Sequence, residues 1–223
     1  MAEQTEKYEE MVWVPGGRYQ YQATHRFREG GFVLYDEGPL NIEMAGYFID
    51  RYEVTNAQFK KFLDATGYEP AVKHNFLRHW QNGFPEALAD HPVVSAQGED
   101  GRKWPWGNEF DPAKCNSDSS GTTPVDAFPS NTSPYGVTDM VGNVWEWIDV
   151  VASEGWHNWC FLRGGSYHVA KGSMWYVEGG AQPTHHHHKF LLMNPSVDRC
   201  GTVGFRCVKS EGRTMLRAYD CQW

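Results

Sequence analysis

Long apolar runs are missing from this sequence: no stretch approaches the roughly 18 apolar residues that a membrane-crossing helix needs. No membrane partner is therefore expected. Clusters of Lys and Arg are missing too, and the net charge is −8. Nucleic-acid affinity rests on clustered basic side chains, so nucleic acid is not an expected partner either. The opening residues, MAEQTEKYEEMVWV, have neither the basic region nor the apolar core of a secretory leader. The expectation is a soluble, cytoplasmic protein. The five cysteines (Cys115, Cys160, Cys200, Cys207 and Cys221) are odd in number, and in that setting free thiols are expected rather than a disulfide framework. Asn131-Thr132-Ser133 has the form of a glycosylation acceptor, which the same setting makes a coincidence.

What is abundant is large rings and glycine. Ten Trp and 23 Gly in 223 residues, with only 22% charged residues, point to a loop-rich fold whose irregular interior is filled by aromatic side chains. The length suits one domain over residues 1–223, and no repeat or linker divides it. Met11 to Val14, the turn Pro15-Gly16-Gly17, and Arg18 to Tyr21 read as strand, turn and strand. Gly46 to Asp50 is another short strand. One helix is predicted from Thr55 to about Thr66: Thr55 and Gln58 form a capping box, Phe59, Phe62, Leu63 and Thr66 share a face, and Gly67 ends it.

Four blocks then carry most of the information: EVTNAQFKKFLDATGY at 53–68, DMVGNVWEW at 139–147, LRGGSY at 162–167 and VGFRCV at 203–208. In this order they resemble the formylglycine-generating enzyme family, a sulfatase-modifying domain. The resemblance implies an α+β, C-type-lectin-like fold with little regular secondary structure. It also breaks after His91-Pro92-Val93-Val94, where the family continues into a second helix. Here Ser95 to Lys103 leads almost directly to Trp104-Pro105-Trp106-Gly107-Asn108-Glu109-Phe110, so one end of the fold is expected to be open or covered by residues 75–90. The family's disulfide partner for Cys207 would lie in that missing helix.

Within the second block, alternation puts Trp145 and Trp147 on one side, expected to be the core, with Val144 and Glu146 on the other. A carboxylate there is costly to bury unless it is paired, with Arg163 or Arg206 as candidates, or bound to a cation. The alternative is a Ca²⁺ site using Asn143, Glu146 and nearby carbonyl oxygens, and the resemblance implies calcium near this block. Asn116, Asp118 and Asp126 lie where the family has another calcium site, in a loop that is shorter here; solvated surface acids are the other reading. Gly164 and Gly165 are expected where two backbones approach closely, and Gly204-Phe205-Arg206 resembles the closing strand of the fold.

The family's chemistry rests on two cysteines after RGGSY that bind copper and activate oxygen. This chain carries Met174 and Gly179 there, and a thioether with a glycine cannot replace two thiolates. Sulfoxide synthases of the same superfamily also lack the pair, but they add a separate iron-binding helical domain. Formylglycine generation is not expected. What remains are histidines: His168, and the run His185, His186, His187 and His188. If the run is extended, alternate members face opposite ways; one side with His168 would make a three-imidazole site for Fe, Cu or Zn.

A His pair contacting substrate, or an ordinary loop, are the other readings. Tyr176, Glu178 and Arg199 complete the candidate catalytic set, beside Trp175, Asn194 and Asp198. Three functions follow. The leading one is a His-ligated, metal-dependent enzyme, an oxidoreductase acting on a small molecule or peptide. The second is a non-catalytic module that binds a sugar, peptide or protein. The third is a metal-free lyase or hydrolase with His as acid or base.

Overall fold

A computed structural model describes residues 11–28, 32–70, 73, 76–77, 80, 82–91, 102–154, 157–169, 180–192 and 201–210. Two sheets organise them. In the smaller, β1 (Met11–Val14) pairs antiparallel with β4 (Tyr47–Asp50), and β4 pairs antiparallel with β9 (Val208–Ser210). The larger has six strands in the order β3 (Phe32–Met44), β2 (Gly17–Arg28), β7 (His186–Leu192), β6 (His157–Arg163), β5 (Trp145–Glu154) and β8 (Val203–Gly204). The second strand of the expected pair is longer than its sequence signal. Gln22 to Arg28 continue it, because β3 pairs along it from Met44 to Phe32, with a bulge between Tyr21 and Ala23. β2 also runs parallel to β7, matching Thr24 with His186, His25 with His187 and Arg26 with His188.

The helix α1 (Asn56–Thr66) forms where its caps place it. The Thr55 hydroxyl accepts from the Gln58 N–H, the Gln58 side chain accepts from the Thr55 N–H, and Gly67 adopts φ 62° at the C-terminal end. Its apolar face does not reach full burial, and Phe62 stays 44% exposed. Phe59 instead centres a cluster of rings, with Phe62, Phe76, Trp80 and Phe205 at 5.7–6.4 Å. The described part of residues 75–90 packs against the start of α1: the Asn56 N–H bonds the His91 carbonyl, the Ala57 N–H bonds Ala89, and Asn56 Nδ2 bonds Leu88.

The buried apolar core joins β1 and β4 to the turn at Trp104 and to residues 137–141: Val12, Val14, Ile49, Trp104, Cys115, Val137, Met140 and Val141. Each such side chain contributes on the order of 1.5–3 kcal/mol through removal from water. Alternation along VGNVWEW is as the sequence suggests, but its faces are exchanged. Val144 and Glu146 are buried, whereas Trp145 and Trp147 are only half-buried. The carboxylate, not the rings, points inward.

Candidate functional site

That inward turn creates a charged interior. Glu53, Asp139 and Glu146 are each 1% exposed, and Arg206 lies among them. Arg206 ties two other segments together, residues 50–53 and Thr138. Nη1 donates to the carbonyls of Asp50 and Arg51 at 3.1 and 2.9 Å, Nη2 donates to Thr138 at 3.0 Å, and Nη2 stands 3.9 Å from Glu53 Oε2. Burial pushes the Glu53 carboxyl well above the ordinary carboxylate range, and the charge of Asp139 raises it further while Arg206 lowers it. Burial likewise raises Asp139, to about 6, against hydrogen bonds from Asn143 and Asn131. Glu146 is raised by burial, and Arg206 and Arg163 act against the shift. Both Glu146 oxygens and both Glu53 oxygens are buried without a hydrogen-bond partner.

The sign of these shifts sets a pH dependence. A carboxyl whose folded pKa is raised favours folding when protonated. Its contribution is full below the ordinary carboxylate pKa of about 4 and fades as pH rises towards the folded value. Glu53→Gln fixes the neutral form. Relative to wild type, this variant is therefore expected to gain stability as pH rises from 5 to 8, read as the difference between the two melting temperatures. A difference that stays constant or moves the other way would contradict the assignment.

An amide network lies beside these charges. Asn131 Nδ2 donates to Asp139 Oδ1 and the Val141 carbonyl. Asn131 is fully buried, so the apparent glycosylation acceptor has no access to a glycan. Asn143 Nδ2 donates to Asp139 Oδ2 and the Thr123 carbonyl, and its Oδ1 accepts from the Thr123 N–H at 2.9 Å and Asn116 Nδ2 at 3.2 Å. The Asn143 side chain is thus committed on both ends. A calcium ion bound here would draw on the Glu146 carboxylate, whose oxygens lack a hydrogen-bond partner, and not on the Asn143 amide. Gly164 and Gly165 make the close approach expected of them. A Cβ at Gly164 would stand 3.2 Å from the Glu146 carboxyl carbon, and one at Gly165 would stand 2.1 Å from the Gly180 carbonyl oxygen.

The histidine run lies at the heart of the larger sheet. Glu146 on β5 pairs with Arg163 on β6, and His187 on β7 pairs with His25 on β2. Arg163 Nε donates to His187 Nε2 at 2.6 Å, and Arg163 Nη2 also contacts that nitrogen. A guanidinium only donates, so this nitrogen acts as the acceptor. His187 is 4% exposed, with the Tyr21 and Phe161 rings at 6.3 and 6.2 Å. His188 is 7% exposed and meets Trp145 edge-on at 4.5 Å. His185 and His186 contact each other at 4.6 Å, and His186 Nδ1 is 3.4 Å from Gln182 Oε1. His168 is exposed, with its ring 6.3 Å from Tyr167.

The run is thus shared between two faces of the sheet, and His187 Nε2 is bonded to Arg163. No three His, Cys, Asp or Glu side chains come together to hold a metal ion among the described residues. The Arg163–His187 contact was not foreseen from sequence; its only signal was that an inward Glu146 needed a cationic neighbour. Tyr176, Glu178 and Arg199, together with Met174 and Gly179, lie outside the described residues.

Cys115 and Cys160 are buried and in no disulfide, and burial pushes both thiols up to about 12. Neither occupies a position that the resemblance gives to the family's two copper-binding cysteines, where this chain carries Met174 and Gly179. Cys207 is free and exposed.

An α+β scaffold with a buried carboxylate in WEW and a glycine pair against it agrees with the resemblance to formylglycine-generating enzymes. Residues 1–100 and 94–211 match the family described as sulfatase-modifying factor enzyme 1-like domain, and the chain belongs to that family. It is 30% identical over 280 residues to the Mus musculus protein named inactive C-alpha-formylglycine-generating enzyme 2, covering 91% of this chain and 86% of that one. It is 29% identical over 252 residues to serine/threonine-protein kinase Pkn1 of Chlamydia trachomatis serovar L2. There the match takes in 90% of this chain but spans only 38% of the relative's length. Among solved structures, CarF shares the fold at a TM-score of 0.50 and 18% identity, with 90% of this chain and 97% of that one covered. No helix among the described residues is long and apolar enough to cross a membrane.

Proposed function

We propose that this chain, read as one domain, is a ligand-binding member of the sulfatase-modifying factor family that does not use the family's copper–thiolate chemistry. The observation that carries this reading is the acceptor role of His187 Nε2 towards Arg163. It commits the most buried imidazole of the run to the sheet instead of to a metal or a proton transfer. Met174 and Gly179, at the positions the resemblance gives to the family's two cysteines, support the same reading. So does the likeness to a relative whose own name calls it inactive. The ligand is a sugar, peptide or protein segment, and a calcium ion held by Glu146 would serve the scaffold. The kinase activity in the name of the Chlamydia relative belongs to a much longer protein.

Anaerobic titration with Cu(I) against a competing chelator, followed by oxygen uptake with a cysteine-containing peptide, tests the proposal. Neither stoichiometric Cu(I) binding nor oxygen uptake above buffer is expected, whereas a thermal-shift screen of glycans and peptides should give stabilisation without turnover. Tight Cu(I) binding with oxygen consumption would sink the idea. Stoichiometric Fe or Zn in untagged protein, lost in His187→Ala, would restore the His-ligated enzyme in its place.

A further inference from the structure

The family resemblance implies a second cation in the loop that begins at Asn116, and the residues there do not fit one. A hard cation such as Ca²⁺ gathers six to eight oxygens, several of them charged. In this loop Asp118 and Asp126, the carboxylates that would supply the charge, are exposed. The oxygens that do converge already have an occupant. Asn116 is 4% exposed, and its Nδ2 donates to the Gly121 carbonyl at 2.9 Å and to Asn143 Oδ1 at 3.2 Å, with Thr123 Oγ1 at 3.5 Å. Its Oδ1 accepts from the Ser119 hydroxyl at 2.7 Å, which also lies 2.8 Å from the Gly121 carbonyl.

A neutral amide nitrogen therefore stands at the centre of an oxygen cradle, and a cation placed there would face that amide's hydrogens. The backbone follows the side chain: the Asn143 N–H bonds the Asn116 carbonyl at 2.8 Å, and the Thr123 N–H bonds Asn143 Oδ1 at 2.9 Å. We propose that the Asn116 carboxamide closes the loop from Asn116 to Thr123 in place of a metal ion, so that this loop holds its shape without calcium. Any calcium the protein takes up is then confined to the Glu146 region. The closure rests on this loop's own residues and stands whether or not the binding function proposed above is correct.

Hydrogen exchange at the Thr123 and Asn143 amides tests this, comparing EDTA with millimolar CaCl2. In the wild-type protein both amides should be equally protected in the two buffers. The same equality is expected in Glu146→Gln, which removes the other candidate ligand. Asn116→Ala should lose at least tenfold protection at Thr123 in both buffers. Asn116→Asp, which replaces the donor with a carboxylate, should lose protection in EDTA and regain it with calcium. The proposal is overturned if EDTA alone deprotects Thr123 in the wild-type protein, or if either Asn116 variant keeps full protection in EDTA.

Discussion

Replacement of Arg206 by Ala is expected to destabilise the protein by about 3–5 kcal/mol, the cost typical of removing one member of a buried charged set. The guanidinium supplies three hydrogen bonds to the carbonyls of Asp50, Arg51 and Thr138, which belong to two segments 87 residues apart by the numbering of Arg51 and Thr138. Its charge also lowers the cost of burying Glu53, Asp139 and Glu146. Removal leaves the carbonyls without their donor and the carboxyls with only Arg163 as a compensating charge for Glu146. The loss should be greater at pH 8 than at pH 5, because protonation relieves the uncompensated carboxyls at the lower pH. Arg206→Lys restores the charge but not the fork that reaches three carbonyls, so it recovers only part of the stability. Urea unfolding at the two pH values, followed by tryptophan fluorescence, gives both numbers. A loss under about 1 kcal/mol would show that Arg206 is dispensable to the interior.

Local signals in the sequence translate directly into structure here, whereas relations across the sheet do not. The caps of α1, the strands at Met11 and Tyr47, and the glycine pair at 164–165 depend on neighbours a few residues apart, and each is found where the pattern puts it. Alternation in VGNVWEW divides the side chains between two faces but does not say which face meets the core. The rings suggested one answer; the structure gives the other, with Glu146 turned towards the charges of Arg206 and Arg163. The full length of β2 was hidden for a similar reason, since Thr24 to Arg28 take their places from β3 and β7, far away in sequence. The four histidines look like a ligand cluster because imidazole is a common ligand. A strand in a sheet instead turns alternate members to opposite faces, and only the long-range contact with Arg163 says what His187 does.

Gly165→Ala should be nearly as damaging as loss of Arg206, with an expected cost of about 3 kcal/mol or more. Gly165 has φ 84°, so any L side chain there costs about 1 kcal/mol before contacts are considered. The added Cβ would also stand 2.1 Å from the Gly180 carbonyl oxygen and 2.7 Å from the Gln182 nitrogen, both of them backbone atoms that cannot swing aside. Relief requires the 164–166 segment to part from 180–182. That breaks the bonds from the Ser166 N–H to Gly180 and from the Gln182 N–H to Gly164, each 3.0–3.1 Å long. Gln182 leads within four residues to His186 and β7, so the damage should extend to the Arg163–His187 contact. Gly67→Ala is the matched control: its φ is 62°, yet nothing lies within 4 Å of the added Cβ. It should cost only the backbone term, about 1 kcal/mol. Equal losses for the two variants would show that conformational strain alone governs Gly165; a loss at Gly165 exceeding that at Gly67 by about 2 kcal/mol identifies the backbone approach at Gly180 as its cause.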